Sequence, residues 1–237
     1  MGKSLLIVKN IAHEGAGLLA AELERRAIAV ETVDLSTGCR FPDPLVHDAL
    51  VILGGPQSAN DTSERMLQEI EQADRALRAE LPVLGICLGL QVLVKAGGGS
   101  VVDSPVRETG FFDHEGQPYH VELTGEGQRD PLFAEMSRTF RVFQLHGETV
   151  KLTDGMRLLA EGKHCTNQAV RIGNNAYGLQ CHFELTPPML AEWCRLDHDL
   201  VRMDATELAG QFRAVSEEYT ATGLLLMRNF LRIAGML

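Results

Sequence analysis

The amino-acid sequence predicts an α/β protein in three layers, with a central and mostly parallel β-sheet between helices. Strand and helix patterns alternate over the first half of the chain, as they do in folds built on parallel sheets. The predicted strands are almost uniformly apolar, which indicates that helices cover both faces of the sheet. With 237 residues, the chain is long enough for one large domain of this kind.

Hydrophobic periodicity places the elements of the first half. Strands are predicted at "SLLIVK", "IAVETVDL", "ALVILGG" and "PVLGI", and helices at "GAGLLAAELERRA", "TSERMLQEIEQADRALRAE" and "LGLQVLVKAGG". Thr62 or Ser63 is the candidate N-cap of the second helix, because a hydroxyl there can accept a hydrogen bond from a free N–H group. Glycines end the third helix.

The second half of the chain has a different character. Between residues 100 and 172 the strands are shorter and the turns richer in Gly, Asp and Pro, which predicts hairpins and mixed sheet added to the same domain. "NAYGLQCHFE" is a further apolar strand, and helices are expected after Thr186-Pro187-Pro188. The last segment, "EEYTATGLLLMRNFLRIAGML", is apolar at helical spacing, so we expect it to pack on the core or, alternatively, to form the face of a homodimer.

Composition and charge exclude several functional classes. The formal net charge of −10 argues against nucleic acid or an anionic membrane as the main partner. Five cysteines without a C-x-x-C pair indicate neither a disulfide framework nor a zinc knuckle, so no metal or other cofactor is predicted and a reducing cytoplasm is the expected location. We find no signal peptide and no apolar run of membrane-spanning length.

Gly85-Ile86-Cys87-Leu88-Gly89 lies where the fourth predicted strand meets the third predicted helix. A nucleophile on such a turn stands above the sheet, and flanking glycines let the chain turn and the substrate approach. The positive end of the helix dipole favours the reactive thiolate. Cys87 is therefore a candidate nucleophile and the N–H of Leu88 a candidate oxyanion donor. The alternative is a small apolar residue buried at the sheet edge.

A nucleophilic thiolate needs a base, and the base needs a group that orients it. His182 and Glu184 stand two residues apart near the end of a predicted strand, so their side chains are expected to point to the same side. We therefore expect the Glu184 carboxylate to orient the imidazole of His182 beside Cys87.

The motifs around Cys87 and His182, in this order and about ninety residues apart, resemble the class I (triad-type) glutamine amidotransferases. Three further segments match the family pattern in order: Gly54-Gly55-Pro56 with Ser58, Glu108-Thr109-Gly110-Phe111, and His146-Gly147-Glu148 of the GMP-synthetase-like branch. The resemblance implies a flavodoxin-like fold. It predicts an amidotransferase domain over residues 1–195 and a C-terminal helical extension over residues 196–237, packed on the same domain.

The resemblance also implies roles for individual residues. Cys87 would attack the side-chain carboxamide of glutamine, His182 would protonate the departing ammonia, and water would hydrolyse the resulting γ-glutamyl thioester. The N–H groups of Gly55 and Leu88 would bind the oxyanion. The residues expected to bind the substrate are Gly54, Gln91, Leu145 and His146.

Two residues depart from the family pattern, since Phe183 stands where proline is usual and Cys181 where phenylalanine is common. Cys181 is expected only to pack. No synthetase domain follows the amidotransferase motifs, so an ammonia acceptor would be a separate synthetase acting in trans. Alternatively, the protein hydrolyses γ-glutamyl amides or peptides directly.

Three other interpretations are weaker. Gly15-x-Gly17-x-x-Ala20 with Asp34 imitates a dinucleotide-binding fingerprint, but its first glycine does not directly follow the strand. A non-catalytic or redox-sensing protein on the same scaffold would lack the His-x-Glu pair. A zinc site of Cys87, His146 and His182 has no ligand pair at structural-zinc spacing.

Overall fold

A computed structural model describes residues 3–237 of the chain. That part forms eleven strands and five α-helices. The strands are β1 (Ser4–Lys9), β2 (Ala29–Asp34), β3 (Ala49–Ile52), β4 (Val83–Ile86), β5 (Ser100–Gly110), β6 (His120–Leu123), β7 (Thr139–Arg141), β8 (Gln144–Lys151), β9 (Met156–Gly162), β10 (Ala169–Ile172) and β11 (Ala176–Leu179). The α-helices are α1 (Gly17–Arg25), α2 (Glu64–Arg78), α3 (Leu88–Ala96), α4 (Pro187–Leu196) and α5 (Ala205–Ile233).

Nine of these strands form one sheet in the order β2-β1-β3-β4-β11-β10-β9-β6-β7. The five strands from β2 to β11 run parallel, and the remaining four are added antiparallel at one edge. β5 and β8 pair antiparallel in a separate two-stranded sheet. The predicted α/β class is confirmed, and so is the expectation that hairpins of the second half join the same domain.

Strand β1 shows how the three layers arise. Its residues are apolar on both faces, and successive side chains point to opposite faces of a strand. Leu5 and Ile7 pack into the layer that contains α1 and α5, whereas Leu6 and Val8 pack into the layer that contains α2 and α3. The uniformly apolar pattern of the sequence is therefore the consequence of a sheet buried on both faces.

The predicted strand "NAYGLQCHFE" is shorter than expected. Strand β11 ends at Leu179, and residues 180–184 follow an irregular path in which His182 forms an isolated bridge with Phe143. The prediction of a regular strand through His182 was wrong because the neighbouring strand β4 ends at Ile86, the register partner of Leu179. Beyond Ile86 the chain of β4 continues into α3, so residues 180–184 have no neighbouring strand of β4 to pair with.

The C-terminal helix α5 begins after Asp204, whose carboxylate accepts hydrogen bonds from the N–H groups of the first turn. Its apolar face is buried against the sheet and α1, with Leu226 and Phe230 fully inaccessible. The segment therefore packs on the core, while the homodimer alternative and the exact domain boundary stay predictions. None of the helices within residues 3–237, α5 included, combines the length and hydrophobicity of a membrane span.

The N-cap of α2 gives a test of where this helix begins, because the sequence offered both Thr62 and Ser63 as candidates. The Ser63 hydroxyl accepts a hydrogen bond from the N–H of Met66, whereas Thr62 lies outside the helix. We expect Ser63→Ala to lower the free energy of unfolding by about 1 kcal/mol, the usual cost of a lost N-cap. Thr62→Ala is the matched control and should change it by less than about 0.5 kcal/mol. Urea unfolding of both variants measures the difference, and equal losses would contradict the assignment.

Candidate active site

Cys87 occupies the sharp turn between β4 and α3. Its backbone has φ of +54° and ψ of −106°, which is strained for a residue with a side chain. Both flanking glycines are required by close contacts: a Cβ on Gly85 would collide with the carbonyl of Gly89, and a Cβ on Gly89 would collide with the carbonyl of Ile52. The sequence Gly-x-Cys-x-Gly therefore specifies a turn that packs backbone against backbone and raises the thiol above the sheet.

The turn brings Cys87 next to the end of strand β11. The N–H of Cys87 donates a 2.7 Å hydrogen bond to the carbonyl of Leu179, which continues the parallel pairing of β4 with β11. The thiol is 8% exposed, and its Sγ lies 3.6 Å from the carbonyl oxygen of Leu145. A small opening therefore connects the thiol to the cavity above the sheet.

His182 and Glu184 form a buried pair beside Cys87. The Nδ1 of His182 lies 2.7 Å from Oε1 of Glu184, and both residues are at most 2% exposed. The other carboxylate oxygen accepts a 2.9 Å hydrogen bond from the N–H of Phe183. Since Nδ1 donates to the carboxylate, Nε2 is free, and within residues 3–237 it has no hydrogen-bond partner. This buried nitrogen is the ring atom that remains for proton transfer.

Two opposing effects set the pKa of His182. Burial disfavours the charged imidazolium and lowers the pKa, but the Glu184 carboxylate and the neighbouring Cys87 sulfur favour the imidazolium. Their attraction outweighs burial, so the pKa of His182 lies well above its ordinary value. The imidazole is thus suited to hold a proton that it can transfer from Nε2.

Three elements hold this irregular segment in place. The hydroxyl of Tyr219 on α5 donates a 2.7 Å hydrogen bond to the carbonyl of His182. The ring of Trp193 on α4 packs edge-to-face against the imidazole, with ring centroids 5.1 Å apart. Gly17, at φ of +44°, lets α1 approach the Glu184 carbonyl so closely that any side chain would collide with it. Helices from both ends of the chain therefore fix the positions of His182 and Glu184.

The predicted oxyanion donors lie together above β3 and β4. Leu88 is the first residue of α3, where N–H groups have no intrahelical partner. Gly55 packs beside it: a Cβ on Gly55 would lie 3.4 Å from the Leu88 side chain and 2.6 Å from Cβ of Asn10. The side chain of Asn10 in turn donates a 3.2 Å hydrogen bond to the carbonyl of Leu53, which ties the Gly55 loop to the end of β1.

A cavity of about 510 Å³ opens over Cys87. The sequence-predicted site residues that line it are Cys87, His182, Gly55, Leu88, Gln91, Leu145 and His146. Glu184 lies behind His182. Gly54 is buried in the wall behind the cavity, where a side chain would collide with the carboxylate of Glu14. The structure thus brings seven of the predicted residues together around one cavity. Gly54 and Glu184 lie behind its wall and do not line it.

The side chain of His146 is turned away from Cys87. Its Nε2 lies 2.9 Å from Oε2 of Glu108, and its Nδ1 lies 3.1 Å from the carbonyl of Glu148. Glu108, His146 and Cys165 have donor atoms within 4.8 Å of one another, but hydrogen bonds to neighbouring protein groups already engage them. A zinc site shared by Cys87 and His146 therefore conflicts with the observed direction of the imidazole.

Comparison with known families agrees with this geometry. The family model for class I glutamine amidotransferases matches residues 13–190, which is most of the chain. The chain belongs to this family. Its members are cysteine-dependent enzymes, and the resemblance carried by the sequence motifs is confirmed.

Relatives of the chain differ in what they are named for. The glutamine amidotransferase-like protein YfeJ of Salmonella typhimurium is 38% identical over 185 residues, 76% of this chain and 74% of that protein. A γ-glutamyl-L-1-hydroxyisopropylamide hydrolase of a Pseudomonas species is 30% identical over 61% of this chain and 52% of its own. A GMP synthase of Thermosipho melanesiensis is 34% identical over 58% of this chain, but this match spans only 24% of the synthase.

Solved structures share the whole fold. A glutamine amidotransferase from Thermotoga maritima superposes with a TM-score of 0.85 at 24% identity, covering 99% of both chains. This similarity includes the segment that contains α5.

In this member of the family the cavity also contains titratable and charged residues that the sequence motifs did not indicate. They are Glu14, Asp103, Arg107, Asp197, His198 and Asp199, and they lie beside Glu148 of the His146-Gly147-Glu148 motif. Burial raises the pKa of Glu14 to about 7, with help from Glu184 and Asp197 and against the opposing effect of His182. One signal could have identified Glu14, because it follows β1 at the carboxyl end of a parallel strand, where α/β sheets bind ligands.

The hydrogen bond from Tyr219 to the carbonyl of His182 gives a second test. Tyr219→Phe keeps the buried ring but leaves that carbonyl oxygen without its donor, so we expect a loss of about 1–3 kcal/mol in the free energy of unfolding. Equilibrium urea unfolding checks the value. A loss below about 0.5 kcal/mol, the size of an ordinary surface substitution, would contradict the contact.

Proposed function

We propose that the protein hydrolyses the side-chain amide of a γ-glutamyl compound, either glutamine itself or an N-substituted glutamine, with Cys87, His182 and Glu184 as catalytic triad. The observation that carries the proposal is the convergence of two chain segments on one cavity. Cys87 reaches it from a strained strand-to-helix turn, and the His182–Glu184 pair reaches it from the end of the adjacent strand. A nucleophile, a base and an orienting carboxylate in this relation are the parts needed for covalent amide hydrolysis.

The chemistry proceeds in two balanced steps. The Cys87 thiolate attacks the amide carbon, the C–N bond breaks, and the proton on His182 Nε2 passes to the departing amine, which leaves a γ-glutamyl thioester. Water then attacks the thioester while its proton passes to His182. Release of glutamate restores the thiolate and the imidazolium. Glu184 stays ionised throughout and keeps the imidazole oriented through Nδ1.

The remaining predicted residues fit supporting roles in these steps. The N–H groups of Gly55 and Leu88 are proposed to stabilise the oxyanion of each tetrahedral intermediate. Gln91, Leu145 and His146 line the same cavity as His182 and are proposed to bind the α-amino and carboxylate ends of the glutamyl group. Gly54 is proposed to contribute through the backbone conformation of the loop that carries Gly55.

Several contacts support activity without a protein partner. The oxyanion loop rests on Asn10, whose side chain is itself held by Glu69 at 2.8 Å and by Arg65 at 2.7 Å. Both of these residues belong to α2, so the loop is fixed by the core of this chain. The similarity to a γ-glutamyl amide hydrolase points in the same direction.

A second candidate function is that of a glutaminase that supplies ammonia to a synthetase in trans. The similarity to the glutamine-hydrolysing part of a GMP synthase favours it. In that case the synthetase would dock over the cavity and accept the ammonia released from glutamine.

Release of glutamate from glutamine and from a panel of γ-glutamyl amides and peptides, with the purified protein, separates the two candidates. A self-sufficient hydrolase should turn over at least one compound with kcat on the order of 1 to 10³ s⁻¹. Glutamine hydrolysis that requires added cell extract would favour the synthetase subunit. Absence of glutamate release under both conditions would contradict the proposed function.

Cys87→Ala tests the nucleophile. We expect turnover to be abolished, because no thioester can form, while the circular dichroism spectrum and the Tm remain those of a folded protein. A glutamine-analogue alkylator should add one label to the unmodified protein, at Cys87. Cys181 is the internal control, since its thiol is fully buried and burial holds its pKa well above the ordinary value. Labelling that persists at Cys181 in the variant would overturn the assignment.

Replacement of His182 and Glu184 tests the proton transfer. His182→Ala should lower kcat/KM by about 10² to 10⁴, the range for a lost general acid or base, and Glu184→Gln by less. Activity requires protonated His182, so kcat/KM should fall as the pH rises through the pKa of His182. Because the Glu184 carboxylate raises that pKa, Glu184→Gln should move this alkaline limb to lower pH. An unmoved limb in the pH–kcat/KM profile would contradict the role of Glu184.

A further inference from the structure

Glu14 is a buried carboxyl group in the wall of the catalytic cavity. It lies between β1 and α1, is 7% exposed, and lines the same cavity as Cys87 and His182. Its Oε2 and the Cε1 of His182 face the same space beside the Cα of Gly54, which is open only because residue 54 has no side chain. The carboxylate therefore reaches the edge of the imidazole that is proposed to protonate the leaving amine.

No residue within the described range 3–237 donates a hydrogen bond to the side chain of Glu14. Of the charged groups around it, Asp197 and Glu184 carry the same sign, and His182, which favours the Glu14 carboxylate, is already paired with Glu184. Arg107 is the cation on the cavity wall, but its guanidinium is bound to Asp199 at 2.6 Å. A buried carboxyl without a partner is costly, unless a ligand supplies the partner.

The position of Glu14 relative to the reacting bond identifies that ligand group. Gln91, Leu145 and His146, which are proposed to hold the glutamyl end, line the same cavity. Glu14 lies beside the imidazole of His182, from which the departing amine must receive its proton. Asp197 follows α4, whose Trp193 packs on the same imidazole, and its charge acts on Glu14.

We propose that Glu14, with Asp197 beside it, binds a positively charged group on the leaving amine, so that the preferred substrates are γ-glutamyl amides of diamines. This inference rests on the proposed hydrolysis of γ-glutamyl amides and goes beyond it by naming the class of amine. An amide of a diamine carries one free ammonium group, which can donate charge-assisted hydrogen bonds to the carboxylate. Amides of neutral amines leave Glu14 without a partner, and amides of amino acids place a second negative charge beside it.

The ionisation of Glu14 adds a pH signature. The groups that face it are His182, Glu184 and Asp197, and together with burial they place its pKa at about 7. An ammonium group favours the carboxylate, so preference for the cationic amide should increase as the pH rises through about 7. Since every γ-glutamyl amide depends equally on His182, the titration of His182 cancels in the ratio of two substrates.

The test compares amides of L-glutamate, linked through the γ-carboxyl, with three amines of equal length: an alkylamine, the corresponding diamine and the corresponding ω-amino acid. Chain lengths of two to five carbons are included. We expect kcat/KM for the best diamine amide to exceed that of its alkylamine counterpart by about 10-fold or more, the scale of a charge-assisted hydrogen bond. The amino-acid amide should be the slowest of each set.

Glu14→Gln keeps the shape of the side chain and removes its charge. It should reduce the ratio of diamine to alkylamine kcat/KM to about 1 and abolish the rise of this ratio with pH. Glu24→Gln is the matched control, since it removes the same charge from an exposed position on α1 and should leave the ratio unchanged.

The outcomes separate this inference from the proposed function. If no γ-glutamyl compound is hydrolysed, with or without cell extract, the proposed function itself fails. If alkylamine amides or glutamine are hydrolysed but diamine amides are not preferred in the unmodified protein, the inference alone is overturned. Equal loss for all three amide classes in Glu14→Gln would place Glu14 at the shared glutamyl end and also overturn it.

Discussion

The parallel pairing of β4 with β11 is the contact on which the candidate site depends. These strands are neighbours in the sheet although β5 to β10 separate them in the sequence. Their last register pair, Ile86 with Leu179, puts the turn at Cys87 and the irregular segment at His182 at the same edge. The 2.7 Å hydrogen bond from the N–H of Cys87 to Leu179 fixes the relative height of the two segments. Apolar side chains on both faces specify the register of the sheet. That register in turn sets how far Cys87 lies from His182.

The second constraint is the burial of the His182–Glu184 pair. Removing two charges from water is expensive, and their attraction offsets this only when further hydrogen bonds satisfy the remaining polar atoms. Here Phe183 supplies an N–H to the carboxylate, and Tyr219 supplies a hydroxyl to the His182 carbonyl. Because Tyr219 lies on α5, the C-terminal helix contributes to the electrostatics of the site as well as to the core.

The sequence was sufficient for those parts of the structure that local patterns encode. Apolar strands alternating with capped helices predicted the layered sheet, and the spaced Cys and His-x-Glu motifs predicted which residues meet. It could not predict that β11 ends at Leu179, because that end is set by where β4 stops. Nor could it show that the His146 ring turns toward Glu108, or that the Glu14 carboxylate reaches the edge of the His182 imidazole. Such features depend on loops that are distant in sequence and have no periodicity, so only the assembled fold brings them together.

Two buried glutamates near the oxyanion loop show how a carboxyl group that supports the fold differs from one that is placed to bind a ligand. Burial raises the pKa of both Glu69 and Glu14 to about 7. Glu69 accepts a 2.8 Å hydrogen bond from Asn10 and is attracted by Arg65, so its carboxyl group supports the loop that carries Gly55. Glu14 is also buried but has no such contact within residues 3–237, and its carboxyl group faces the cavity. The Glu14 carboxyl group therefore fits a role in binding a ligand in the cavity. A cationic group on that ligand would compensate the charge of the buried carboxylate.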